Sequence, residues 1–358
     1  MPGSHNYSKR LGSIELLKAA GIIFLVFVHQ LVWLYTHADT GGLMFPEAYG
    51  IIHLWAFSLG LHVLGAGIPV LAGVTFYLGL EKKYRSWPAL LARAFALLGL
   101  GFAMNLFAWG LEGLFDWDVL QFFCLSMIIS YPFLKYFPRD LGVGLAVLLG
   151  ILALSQSAQY PFSQYSGHYF YEVTVGSQEG RHYWPLLPWY SLFAAGIVMG
   201  RVITLKNKNA LLVMAAAGAG LIGWAVAAGK FASVYDVDHI WGALMFKPSP
   251  FLPLGIIGGQ WVLISLLEWL FSTRPAFLAV CENVVVRAFG QGILWIYMGT
   301  IICGYHLTGF VKQTMDFDLK GSYTVFFALL ALGWALGLAI GLLACRGKSI
   351  RYVSMAEL

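Results

Sequence analysis

Charge is scarce in this chain: Asp, Glu, Lys and Arg supply 11% of its 358 residues, against 59% hydrophobic ones. A soluble domain cannot cover its surface with so few charged side chains, and a mean hydropathy of +0.74 excludes that class. Cysteine is scarce too. Cys124, Cys281, Cys303 and Cys345 are isolated in or beside apolar runs, with no C-x-x-C and no pair in a loop, which argues against disulfides and against a thiolate metal site. No signal peptide stands at the front: the first apolar run is long, carries Lys18 and lacks a small-residue cleavage site, so it is expected to stay as a helix. Nor is there a repeat of two halves or a matching pair of broken helices, which speaks against a transporter.

What is present is a series of apolar runs of about 20 residues, the length that crosses a bilayer. Broken at charge and at Pro/Gly clusters, they give ten candidate spans: 14–36, 52–80, 88–110, 119–136, 141–157, 184–203, 209–229, 252–271, 284–308 and 322–345. The segment 231–251, with Asp236, Asp238 and Lys247, is too polar to be another. The expected fold is therefore all-α, a polytopic membrane bundle of about ten transmembrane helices forming one domain over 1–358, with tails of 13 residues at the front and about 13 at the end. Lys and Arg gather in cytoplasmic loops. With the N-terminus inside, fifteen of them fall in inner segments, and the outer loops hold only Arg181, Lys230, Lys247, Lys312 and Lys320. Both termini are then cytoplasmic, in an integral membrane protein of the bacterial inner-membrane kind. The net charge of +5 is this topology signal meeting anionic headgroups and calls for no nucleic acid.

Against that background Lys18 and His29 stand out inside the first span. At 100° per residue a spacing of eleven returns to within about 20° of the same face, roughly 16 Å apart along the helix axis. Glu15 shares the stripe. Charged and titratable groups in a span are costly unless they face a cavity or partner charges, so the stripe is a candidate site. The alternative is a lysine snorkelling to headgroups and a histidine bonded to a neighbouring helix. Arg93 and Asn105 in the third span fit a phosphate contact and an interhelical hydrogen bond. His53 and His62, nine apart, lie on opposite faces, so one of them faces the site. Asp118 and Gln121 open the fourth span, where Asp118 also suits an N-cap. In the outer segments, 158–183 mixes tyrosines with His168, Glu172, Glu179, Arg181 and His182, enough to hold an acceptor or to form an aromatic belt, and Asp236-x-Asp238-His239 lacks the further partners a metal needs.

The string SIELLKAAG (13–21) and the run to His29 resemble the D-x-L-R-G opening and Arg-x10-His motif of the transmembrane acyltransferase superfamily. Later segments are similar to its heparan-alpha-glucosaminide N-acetyltransferase-like branch, a relative of the bacterial membrane O-acyltransferases. They are HVLGAGIPVLAG (62–73), DVLQFFCLSMIIS (118–130), WPLLPWYSLFAAGIVMGR (184–201) and FGQGILWIYMGTII (289–302), in the family's order over most of the chain. Lys18 stands where the family usually has Arg, Glu15 where it has Asp, Gln291 for a second Arg, and Thr300 for a late His.

The resemblance implies transfer of an acetyl or other acyl group from acyl-CoA, most simply acetyl-CoA, to a hydroxyl or amine of a sugar, glycolipid or small molecule, without a metal. His29 is the implied general base, since neutral imidazole suits proton removal near pH 7. His37 and Asp39, in a His-Ala step after the first helix, are the alternative base. Lys18, held by Glu15 and joined by Arg93, would meet the coenzyme A phosphates, while His62, Asp118, Gln121 and Trp189 would face the acceptor. A homodimer or a membrane complex is compatible with this pattern. The alternatives are a non-catalytic subunit, suggested by Gln291 and Thr300, and a transporter.

Overall fold

The computed structural model describes residues 8–35, 44–58, 61–84, 86–137, 140–158, 168–176, 184–227, 251–347 and 350–358. His37, Asp39 and the Asp236–His239 cluster lie outside them, as do the side chains of His53 and His62. The chain is helical almost throughout: α1 (Gly12–Tyr35), α2 (Pro46–Ser58), α3 (Leu61–Ala66), α4 (Ile68–Lys83), α5 (Trp87–Trp109), α6 (Val119–Tyr136), α7 (Leu141–Ala158), α8 (Tyr169–Val175), α9 (Leu186–Thr204), α10 (Lys208–Ala227), α11 (Phe251–Thr273), α12 (Val284–Gly299), α13 (Tyr305–Thr314) and α14 (Leu319–Cys345). Among the described residues nine helices are long and apolar enough to cross a membrane, and Leu141–Leu154 is a shorter apolar one. The fold is the expected all-α polytopic bundle.

Two boundaries differ from expectation. The run expected as one span over 52–80 breaks into α2, α3 and α4, and the stretch long enough to cross is Val63–Leu80. α4 starts at Ile68, one residue after the turn at Gly67, and Pro69 sits in its first turn, where a proline without an N–H is suited. The ninth span runs on to Thr314 through a π-helical turn, Thr300–Gly304. Lys312, expected in a loop, therefore sits in the last turn of α13. Its ammonium donates to the Trp33 carbonyl at 3.1 Å, one of the orphan carbonyls at the negative end of α1.

The chain divides into two compact units, residues 1–68 with 203–213 and 263–358, and residues 69–202 with 214–262. In the first, α1 is the axis, packed against α3, α12, α13 and α14. It buries Ile22, Val26, Leu31, Leu34 and Tyr35 almost completely. Short strands at the two chain ends, β1 (Ser8–Leu11) and β2 (Ile350–Val353), pair in parallel with Lys9 opposite Arg351 and Leu11 opposite Val353. That pairing sets Ser8–Leu11 and Ile350–Val353 side by side. The helices approach at glycines. A methyl on Gly292 would lie 2.7 Å from Gly341 Cα, and one on Gly341 2.5 Å from the Ala288 carbonyl oxygen, so α12 and α14 meet backbone to backbone.

In the second unit the same device joins α4 to α9, where a methyl on Gly73 or Gly196 would collide with the carbonyls of Phe193 and Val70. Arg201, buried in the last turn of α9, donates to the carbonyls of Asp140 and, at 2.7 Å, Phe137. Its charge thus meets the chain where α6 ends. Rigid backbone cannot yield to an added methyl, so Gly196→Ala is expected to cost about 1–3 kcal/mol. Gly220→Ala, with open space around it, should be neutral. Thermal unfolding of the two variants in detergent, followed by tryptophan fluorescence, separates them.

Candidate active site

The first unit gathers its polar side chains at the N-terminal end of α1. Glu15 is 3% exposed, inside a helix built mostly of apolar residues. Burying a carboxylate is tolerable only with charge partners and hydrogen bonds. Arg10, carried in on β1, donates to both Glu15 oxygens at 3.2 Å, and Lys18, one turn along α1, reaches Oε1 at 3.2 Å. Two cations thus share one carboxylate, so the trio itself carries a net positive charge. Gly290 of α12 makes the room: a Cβ there would lie 2.7 Å from the Glu15 carbonyl oxygen and 3.3 Å from its Oε2.

Next to it, Gln291 Nε2 donates to the Tyr352 hydroxyl at 2.8 Å. Gln291 therefore occupies a position facing β2, and its amide bonds a residue of the C-terminal strand. Burial pushes the Tyr352 phenol above its usual pKa, with the Arg10 and Arg287 charges pulling the other way. A second buried carboxylate lies deeper. Glu268 of α11, fully buried, accepts from the Ser13 hydroxyl and, at 2.7 Å, from the backbone N–H of Met355. Cys281 donates its thiol to the Gly12 carbonyl at 3.3 Å, and burial pushes that thiol up to about 12, so it stays protonated. The start of α1, α11 and the C-terminal turn are thereby fastened together.

His29 sits eleven residues along α1 from Lys18, half-buried. Its Nδ1 lies 2.8 Å from the Leu25 carbonyl oxygen. A carbonyl can only accept, so Nδ1 carries the proton and Nε2 of the neutral ring holds the free lone pair. Trp33 lies 5.1 Å from the ring, centroid to centroid, and Tyr297 of α12 meets it edge-on at 6.2 Å. Arginine at 10, Gly290, Tyr352 and Glu268 carry this arrangement, although sequence reasoning singled out none of them as a site residue. Glu268 was detectable, being a lone acid within an apolar run, the signal that flagged Lys18.

The remaining expected site residues belong to the second unit. Arg93 is exposed on α5, its guanidinium 5.3 Å from the centre of the Tyr84 ring. Asp118 caps α6, its Oδ1 accepting from the Val119 N–H at 2.6 Å. Gln121 and Asn105 both donate their amides to the Asp116 carbonyl, at 3.3 and 2.7 Å. These bonds hold the turn between α5 and α6, and their Oε1 and Oδ1 atoms are buried without a hydrogen-bond partner. Trp189 is fully buried, 4.8 Å from Trp184. Among the described residues no cluster of His, Cys, Asp and Glu has the makings of a metal site.

Glu15→Gln is expected to lower stability by about 1–3 kcal/mol, because Arg10 and Lys18 lose their shared counter-charge while partly desolvated. Adding Lys18→Met should then restore part of the loss. A double-mutant cycle on thermal unfolding measures the coupling, and additive losses would show that the three groups act independently.

No curated protein and no solved structure matches the chain. A family model does: the heparan-alpha-glucosaminide N-acetyltransferase catalytic domain matches residues 10–236, from the arginine that pairs with Glu15 through Lys18 and His29 and beyond α10. The match covers more than half of the chain, which therefore belongs to the heparan-alpha-glucosaminide N-acetyltransferase catalytic family, membrane proteins of acetyltransferase type.

Proposed function

We propose that the protein transfers an acetyl group from acetyl-CoA, entering at the end of α1 where both chain termini meet, to an amine or hydroxyl of a sugar. The observation that carries the reading is the layout of α1. A pair of cations on one carboxylate lies at one end and a histidine of fixed tautomer on the same helix face, separated by roughly 16 Å of helix axis. That is about the reach from the phosphates of coenzyme A to its thioester. On this reading the entry end is cytoplasmic, as the distribution of Lys and Arg implies.

Each group then has a defined task. Lys18 and Arg10 attract the phosphates, and Glu15 holds both cations in place, so that the donor meets a prearranged site. At the other end an amine or hydroxyl is a poor nucleophile until its proton is taken. His29 Nε2 takes that proton as the acceptor atom attacks the thioester carbonyl. The C–S bond breaks, coenzyme A leaves as the thiolate, and the imidazolium returns the proton to it. The Leu25 carbonyl stabilises the charged ring through Nδ1–H throughout. His37, with Asp39, is the competing base in this proposal.

Calorimetric titration with acetyl-CoA and free coenzyme A tests the donor half. Lys18→Arg should keep or improve affinity, since guanidinium grips phosphate with two hydrogen bonds. Lys18→Met should weaken it by about 1.5–3 kcal/mol, roughly 10- to 150-fold. His29→Ala should abolish transfer while leaving coenzyme A binding intact, and His37→Ala should retain most activity. The reverse pattern moves the base to His37. Coenzyme A binding without transfer to any acceptor points to a non-catalytic subunit, and absence of coenzyme A binding overturns the proposal.

A further inference from the structure

Beyond His29, on the side away from Lys18, two aromatic side chains are held in a way that ordinary helix geometry does not provide. Tyr297 and Tyr305 are eight residues apart, which in a regular α-helix puts them about 80° apart around the axis. The π-helical turn Thr300–Gly304 lies between them, and a π-bulge amounts to one extra residue. Removing that residue from the count leaves seven, or about 20° off register, so both tyrosines turn towards α1. Tyr297 meets His29 edge-on, and Tyr305 meets Trp33 edge-on at 6.0 Å. His29 and Trp33 are themselves one turn apart on α1, so the four rings form a two-by-two array across the helix pair.

Trp33 is fixed within this array. A Cβ on Gly304 would lie 2.8 Å from the indole, so the glycine at the end of the π turn is what lets Trp33 lie against the backbone. The Trp33 carbonyl is held by Lys312, and its neighbour Gln30 accepts from the Thr308 hydroxyl at 3.0 Å. Trp33 is nonetheless only half-buried, and Tyr305 is 38% exposed. A rigid, partly open aromatic surface begins at the ring of the base and continues roughly 6 Å past it.

We propose that Trp33 and Tyr305, set edge-on to each other, form an aromatic corner in which the ring of the acceptor sugar stacks on one face and abuts the other ring, presenting its amine or hydroxyl to His29. The inference rests on the acetyltransferase reading and adds the acceptor's place to it. Aromatic faces carry negative charge density and attract the polarised C–H bonds along one side of a pyranose, whereas an open-chain polyol offers no such flat array. The position suits the chemistry as well. The donor reaches His29 from the Lys18 end, so the acceptor must come from the other, where Trp33 lies.

The test uses the full chain in nanodiscs, with acetyl-CoA as donor. The acceptors are glucosamine and its reduced open-chain form, 2-amino-2-deoxyglucitol, which keeps the amine and hydroxyls without the ring. Trp33→Leu and Tyr305→Leu are each expected to raise KM for glucosamine about ten-fold. They should leave KM for acetyl-CoA and transfer to the open-chain amine unchanged, and Trp33→Phe should keep most of the preference for the ring. Tyr305 is exposed enough that its replacement leaves the fold intact. Calorimetric binding of methyl glucosaminide in the presence of coenzyme A reads the aromatic corner without catalysis. Binding weakened by the leucine variants supports the aromatic corner even if no acetyl is transferred. Equal losses for ring and open-chain acceptors, no loss in either leucine variant, or coenzyme A binding without glucosaminide binding would overturn it, leaving these rings as part of an interfacial aromatic belt.

Discussion

A carboxylate buried in an apolar helix end has to be neutralised by groups that come to it, and Glu15 imposes that requirement on everything around it. Lys18 is supplied by the helix itself, one turn away. Arg10 is not. It precedes the helix and reaches Glu15 from β1, which is paired with β2. β2 in turn runs into the turn at Met355, whose N–H is bound by Glu268. Gly290 completes the arrangement by having no side chain where α12 crosses the carboxylate. Residues separated by more than three hundred positions are thus fastened around one ion pair. Mutational damage at the C-terminal strand is therefore transmitted to the charge cluster of α1 through a chain of specific bonds.

How much of this the sequence revealed depends on the range over which each signal acts. Long apolar runs interrupted by charge are local, and they read as helices with ends within a few residues of those observed. Lys18 and Glu15 were legible for the same reason, since one turn of helix places them together whatever else the chain does. The span expected to stop at 308 runs on to Thr314 because hydropathy reads Lys312 and Gln313 as loop, and the π turn inside it was invisible because one additional residue leaves hydropathy unchanged. Tyr352 and Arg10 carried no local signal at all. They enter the site by pairing of the two chain ends, a contact that no spacing rule reaches.

The second unit shows the opposite lesson. Asp118, Gln121 and Trp189 stand in segments that resemble the family, yet each has an evident structural occupation: capping α6, bonding the carbonyl of Asp116, and filling the core beside Trp184. A motif preserves residues for folding and for chemistry alike, and only the surroundings distinguish the two. Among the described residues the amide oxygens of Asn105 and Gln121 have no hydrogen-bond partner.

A division of labour follows from where the family match ends. It covers residues 10–236, and so includes Arg10 of β1 and Glu15, Lys18, His29 and Trp33 of α1, but stops before α12, α13 and α14. On the proposed reading the matched part carries the donor charges and the base, which any acetyl transfer from coenzyme A requires at a set separation along one rigid helix. The remainder carries Tyr297, in the segment 289–302 that resembles the family by its sequence, and the π turn and Tyr305, which on the same reading face the acceptor. Geometry common to all acetyl transfers has little freedom to vary, because the length of the donor fixes it. An aromatic wall on a neighbouring helix has no such constraint, and a shift of one residue in its register changes which rings are presented to the base. On the proposed reading the extra residue at Thr300–Gly304 decides which rings stand beside the base.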